Sequence, residues 1–309
     1  MIIEDKEYLK RGTYGVDKLL VDTDGVILKH IYENDKVTVE TPKDIQSEEY
    51  KKYKDMIDDR NELSQIIADT FGSFYFNFFN GGLNSMGIKE SIKLRFLLLC
   101  TYSGYNDKGS YICYENGRKM GKGAILDILN LSEREGNRTI KELIDSGLLV
   151  KEDEYYIVNT DVAIRGKLTS ANKKKNSTRI FDLGLRELYK SCDPKQHKQL
   201  YYLFKMLPYI NRKFNVVCQN PDEIINEEVI PLTLTEICQL VGYNVSNVSR
   251  FKKEMYQLKV GNQYAMLGVE CAKGMWYKIN PKFSYGGYTT DHLAELNNLL
   301  STDFSIKVK

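Results

Sequence analysis

The chain has no run of about 18 consecutive apolar residues, the least that a membrane-spanning helix requires. Its opening stretch, MIIEDKEYLK, also lacks the apolar core of a secretory signal, so neither insertion nor secretion is indicated and the expected location is the cytoplasm. Six cysteines, at 100, 113, 192, 218, 238 and 271, include no Cys-x-x-Cys pair, and several fall within apolar patterns. That excludes a disulfide framework or a structural zinc site and suits buried free thiols. Histidine is scarce as well. His30, His197 and His292 are far apart, with no His-x-His pair to position the cation of a metal-dependent nicking enzyme. Residues 117–123, GRKMGKG, are too short between glycines for a phosphate-binding loop and carry Gly123 where such a loop needs Ser or Thr. Gly-x-Ser-x-Gly and His-Glu-x-x-His are both missing. Although the 22 tyrosines offer nominal nucleophiles, neither an enzymatic activity nor a cofactor is expected.

What is present is charge, unevenly spread. The net charge of +2 conceals 11 Lys and Arg against 17 Asp and Glu in residues 1–85, 17 against 12 in residues 86–180, and 16 against 13 in residues 181–309. An acidic N-terminal part cannot track a phosphate backbone, so any nucleic-acid surface belongs to the two later segments. A length of 309 residues allows two domains, each with its own core.

Residues 19–21 and 26–31 read as a hairpin, with residues 36–40 as a third strand. From Ser47 to Phe71 the apolar spacing is helical. The aromatic run at residues 71–79, FGSFYFNFF, holds no basic residue, which favours core packing over base stacking. Residues 88–102 are apolar around most of a helical circumference and read as a central core helix. A short strand at residues 111–114, a basic turn at residues 119–123 containing Lys122, and a helix at residues 124–129 follow.

Residues 131–149, LSEREGNRTIKELIDSGLL, are the chain's most informative stretch. Ser132 and Glu135 form a capping box, and Gly147 can end the helix in a left-handed conformation. At 100° per residue Gly136, Ile140, Leu143 and Ile144 share one side, while Arg134, Asn137, Arg138 and Lys141 share the other. The outer set matches the needs of major-groove reading, because Arg suits guanine O6/N7 and Asn suits adenine N6/N7. Taken alone, the helix fits equally well a surface whose charges are only solvated. Behind it, residues 148–151 and 155–158 make a two-stranded wing with an acidic tip.

Residues 166–179, GKLTSANKKKNSTR, read as a basic linker in which Lys173, Lys174, Lys175 and Arg179 either follow a DNA backbone or simply solubilise. Helices at residues 182–190 and 195–207 lead to a second version of the pattern. Thr233 and Glu236 box the helix at residues 234–241, Gly242 ends it, and Asn244 caps a helix at residues 245–258. That helix turns Val248, Phe251, Met255 and Leu258 inward and Ser246, Arg250, Lys253 and Gln257 outward, with Asn247 and Glu254 beside that stripe. A longer wing follows at residues 263–279. In both halves an asparagine, Asn159 or Asn280, closes the wing seven residues before a glycine, which supports an internal duplication. A last amphipathic helix at residues 289–300 packs internally or forms a dimer contact.

The order of aromatic FYFNFF, apolar KLRFLLLCTY, then ILNLSEREGNRTIKELIDSGLL, YYIVN and IRG, over about residues 71–168, resembles winged-helix replication proteins of the RepL type from small plasmids and phages. More loosely it is similar to MarR-like regulators. The resemblance implies a winged helix over those residues, and the second winged helix and the acidic N-terminal part depart from the family. With the repeated pattern, the expected fold is helix-rich α+β, two tandem winged helix-turn-helix domains with a small N-terminal β/helix segment. The expected divisions are an N-terminal arm (residues 1–46), a first winged-helix domain (47–168), a basic linker (169–180), a second winged-helix domain (181–288) and a C-terminal helix and tail (289–309). The implied partner is double-stranded DNA, read at two successive major grooves about 34 Å apart, for replication initiation or transcription regulation in a mobile element. A homodimer contact or a replication or transcription partner is compatible with this. The competing expectation is a non-catalytic protein-interaction scaffold that recruits through its acidic N-terminal part.

Overall fold

In a computed structural model, residues 82–104, 110–165, 177–271, 274–286, 291–302 and 304 are described, with strand segments at 12–13, 18–21, 27–31, 36–37 and 74–79 and single positions between 51 and 58. The chain divides into two units, Met1–Asn61 and Glu62–Lys309. In the first, β1 (Gly12–Thr13) pairs antiparallel with β4 (Lys36–Val37), and β2 (Lys18–Val21) with β3 (Ile27–Ile31). The hairpin is as expected. The third strand instead pairs with β1, a two-residue strand too short to leave a sequence pattern. Of the helix expected over residues 47–71, positions 51, 52, 54, 55 and 58 are described, and they are helical.

The second unit is an α+β arrangement of short helices and small antiparallel sheets. The aromatic run forms β5 (Phe74–Phe79), which pairs antiparallel with β9 (Ser177–Phe181), Phe74 opposite Phe181. This corrects the linker: from Ser177 onward it is strand. Within it Arg179 donates from Nε to the Tyr285 carbonyl (2.8 Å), and its own carbonyl accepts from Ser284 Oγ. Lys173, Lys174 and Lys175 lie outside the described residues.

After a helical turn, α1 (Gly82–Ser85), comes α2 (Glu90–Cys100), where every residue from Ile92 to Cys100 is buried. The series continues with β6 (Ser110–Tyr111), α3 (Lys122–Leu129), α4 (Glu133–Asp145), β7 (Leu149–Glu152) and β8 (Tyr155–Val158), and the sheet order is β6-β8-β7. Following α5 (Asp182–Lys190), the second half repeats that series. It has α6 (His197–Met206), an extended stretch at residues 216–218, α7 (Leu234–Val241) and α8 (Val248–Met255). A small hairpin, β10 (Lys259–Val260) with β11 (Gln263–Tyr264), precedes β12 (Met266–Cys271) and β13 (Gly274–Ile279). Val216 bridges Lys278, so here too the strand after the first helix lies beside the last strand. The wing expected over residues 263–279 is thus two hairpins, divided at Ala265, whose N–H donates to the Leu258 carbonyl.

The closing asparagines behave alike to the level of single bonds. Asn159 donates its N–H to Leu148 O and its Nδ2 to Gly147 O, and Asn280 does the same to Ala265 O and Tyr264 O. Each Oδ1 accepts from the N–H two residues on, Asp161 or Lys282 (2.9 Å both), and each carbonyl accepts from the following turn. Such Asx turns satisfy backbone groups where a strand stops. Two identical sets are what a duplicated unit requires.

The two halves do not hold separate cores. One continuous cluster contains Leu97 and Leu143 from the first and Leu203, Ile237 and Met255 from the second. Its central contact is α2 against α6, antiparallel, because Glu90 at the start of α2 meets Lys205 near the end of α6 (3.3 Å), and Arg95 in mid-α2 meets His197 at the start of α6 (3.3 Å). A final helix, α9 (Asp291–Ser301), buries Leu296 and Leu299. All six cysteines are free, and among the described residues no helix is long and apolar enough to cross a membrane.

Gly184, on α5, marks the tightest backbone approach: a Cβ there would overlap the Lys282 carbonyl. Gly184→Ala should therefore destabilise by about 1–3 kcal/mol, although alanine favours a helix. Gly123→Ala on α3, where a Cβ meets nothing within 4 Å, should be neutral or stabilise by up to about 1 kcal/mol. Urea denaturation of both variants measures the contrast, and equal midpoints would mean that α5 stands off from residues 280–284.

Candidate nucleic-acid interface

The helix α4 begins where Ser132 Oγ accepts from the Glu135 N–H (3.4 Å), and it ends at Gly147, whose φ of 71° only glycine adopts without strain. The capping box is half made. Glu135 does not return to the Ser132 N–H, because its carboxylate accepts from Arg95 Nη1 (2.8 Å) instead. Arg95 is buried in the middle of α2. The same Nη1 donates to Thr139 Oγ1 (2.8 Å) and Nε donates to His197 Nδ1, so one guanidinium ties α4 to α2 and α6.

This network fixes protonation states. The hydrogen bond from Arg95 is the largest influence on Glu135, which it holds below the usual carboxylate range. Burial first, and Arg95 second, push His197 down to about 4, so its imidazole is neutral, accepting at Nδ1 with the proton on Nε2. A second buried pair joins the halves nearby. Arg165 binds Asp182, Arg186 donates to the Thr101 carbonyl (2.7 Å), and burial pushes Asp182 up to about 6.

Held in this way, α4 buries Gly136, Thr139, Ile140 and Leu143 and exposes Arg134, Arg138 and Lys141. Asn137 is only half-exposed and its Oδ1 has no partner, so it stands at the edge of the outer face rather than on it. Lys122 is exposed in the first turn of α3. In the second half Asn244 accepts from the Ser246 N–H (2.9 Å), and residues 245–247 form a 3-10 turn before α8. The expected helix over residues 245–258 is therefore shorter at both ends. Phe251 and Met255 are buried, while Ser246, Asn247, Arg250 and Lys253 are exposed. Gln257 is exposed too, but it lies beyond the end of α8, where it accepts from Gln196 Nε2 (3.4 Å).

Both helix pairs align at one constant offset. Left-handed Asn130 corresponds to left-handed Gly242, capping Ser132 to capping Asn244, Arg138 to Arg250, Lys141 to Lys253, and buried Leu143 to buried Met255. The offset also aligns two carboxylates, Glu142, which the outward stripe did not include, and Glu254, which was expected beside it. Glu142 accepts from Arg138 Nε (3.1 Å), and Glu254 accepts from Arg250 Nε (2.9 Å). Their i,i+4 spacing was visible in the sequence. Each outward arginine is thus held along its own helix by a weak, solvent-screened pair. No family model, no curated protein and no solved structure matches this chain. What these surfaces do is read from their own residues.

The neutral His197 has a measurable consequence. Burial holds its pKa at about 4 in the folded chain, against 6.5 for an ordinary histidine. The unfolded chain therefore binds the extra proton first, and the stabilising contribution is complete above 6.5 and lost as pH falls toward 4. Acidification through that window should remove about 3 kcal/mol that His197→Gln does not lose. Denaturation curves at a series of pH values measure this, and parallel loss in both proteins would contradict it.

Proposed function

We propose that this chain is a sequence-specific double-stranded DNA-binding protein whose halves are tandem winged-helix units, α4 and α8 being the reading helices. The observation that carries the reading is the repeated outer face: Arg138 with Lys141 and Arg250 with Lys253, exposed at equivalent positions of the second helix of each helix pair. Helix-turn-helix proteins present such residues to base edges while the helix before crosses the phosphate backbone, a role that suits Lys122. The helix-strand-helix-helix-strand-strand series and the sheet order β6-β8-β7 support the winged-helix assignment. The tips of the hairpins qualify it. Glu152, Asp153 and Glu154 are exposed at the first wing, so readout falls to the helices and not to deep wing insertion. Action in a mobile element, at a replication origin or at a promoter, completes the proposal, and genome-wide mapping of bound sites separates the two.

The arginines are parked but available. Exchanging an intrahelical carboxylate for a guanine edge replaces a weak exposed pair with a bidentate contact. From a DNA site selected with the wild-type protein, Arg138→Ala and Arg250→Ala should each lose about 1–3 kcal/mol of binding. Glu142→Gln and Glu254→Gln should bind about 2- to 10-fold more tightly, since each frees an arginine and removes a negative charge from the face. Fluorescence anisotropy titrations at fixed salt provide the comparison. Arginine variants that match wild type, or glutamine variants that bind more weakly, contradict the assignment.

A further inference from the structure

The link between the first strand and the following helix differs in chemistry between the two halves. In the second half, residues 219–231 carry Ile224, Ile225 and Ile230, whose exposures of 62%, 52% and 50% are among the highest of any large hydrophobic described. They are not loose. Asn220 accepts from the Ile230 N–H and donates to the Glu228 carbonyl, Asn211 donates to the Glu223 carbonyl, and Glu223 Oε1 accepts from the N–H groups of Ile224 and Ile225. Val229 is buried beneath. The loop therefore presents its isoleucines in a fixed arrangement, surrounded by Asp222, Glu223, Glu227 and Glu228. Arg212 pairs with Asp222 (2.8 Å), and Glu228 at the far side is exposed.

A purely solvated turn has no use for three exposed isoleucines, and the carboxylates repel nucleic acid and anionic membrane alike. The surface that fits is a protein surface offering cations beside apolar area. The equivalent link in the first half has this chemistry. There the Tyr114 N–H donates to Arg118 O, the Gly117 N–H donates to Tyr114 O, and Gly117 has φ 80°, which makes a tight turn. Arg118 lies over the Tyr114 ring (4.7 Å) and Lys119 over the Tyr111 ring (3.4 Å). Its one acid, Glu115, faces Arg186 at 3.8 Å.

We propose that the acidic isoleucine loop of one molecule docks on the basic tyrosine turn of a second copy, joining copies head to tail. Two different surfaces form the contact, so it is heterologous: each molecule in a pair keeps one surface open, and copies can add in a row. The proposal does not depend on the DNA reading, and its test contains no DNA. Sedimentation equilibrium of the full chain should show association that weakens as salt rises. Ile224→Ser with Ile225→Ser, and separately Arg118→Glu with Lys119→Glu, should each lower the association constant at least tenfold. All four residues are exposed, and melting curves verify that both variants fold. Mixed together, the two variants should form a 1:1 dimer that grows no further, since one retains the turn and the other the loop. Three results overturn the proposal: a wild-type protein monomeric throughout, loss in the loop variant with none in the turn variant, or no dimer on mixing.

Discussion

The Arg95 guanidinium is the constraint on which the rest of the second unit depends. A buried cation is tolerated only when its hydrogen-bonding capacity is met. Arg95 directs Nε and Nη1 to a carboxylate and a hydroxyl on α4 and a neutral imidazole on α6. Those partners come from both halves of the chain, so the charge is satisfied only when the halves are packed together. It also orients α4: with Glu135 and Thr139 drawn toward α2, the opposite stripe carrying Arg134, Arg138 and Lys141 has to face outward. The second junction, Arg165 with Asp182 and Arg186 with Thr101, fastens the same two halves at another point. Shared packing and buried polar pairs together explain why one core passes through both.

A structural repeat accounts for the remaining order. The two Asx-turn closures at Asn159 and Asn280, the left-handed residues Asn130 and Gly242, and the paired Arg-Glu stripes recur without local necessity. A single helix with basic residues on its outer side is weak grounds for DNA binding. Two such helices, each following another helix through a left-handed corner and each preceding an antiparallel hairpin, are stronger, because solvation alone does not demand the same side chains twice. The halves have nonetheless diverged where they meet other surfaces, as the loop at residues 219–231 and the turn at residues 114–119 illustrate.

Helix boundaries and outward stripes were legible because caps and 3.6-residue periodicity are local. Ser132, Gly147, Thr233, Gly242 and Asn244 each occupy the expected terminus. What the sequence concealed was set by distant partners. Glu135 looked like a capping residue until Arg95, 40 positions away, claimed its carboxylate. Residues 177–180 looked like linker because a strand's partner, here β5 across about a hundred positions, leaves no trace in the strand itself. Gln257 is exposed as expected, but α8 ends before it. The candidate face was therefore readable in composition, and its precise membership was not.

Guanine-methylation interference on a selected site tests the central claim most directly. With the wild-type protein, the account predicts two separate groups of guanines whose methylation blocks binding, one absent with Arg138→Ala and the other with Arg250→Ala. A single group abolished by either substitution, or no sensitive guanine at a site rich in them, would contradict a chain that reads DNA with two equivalent helices.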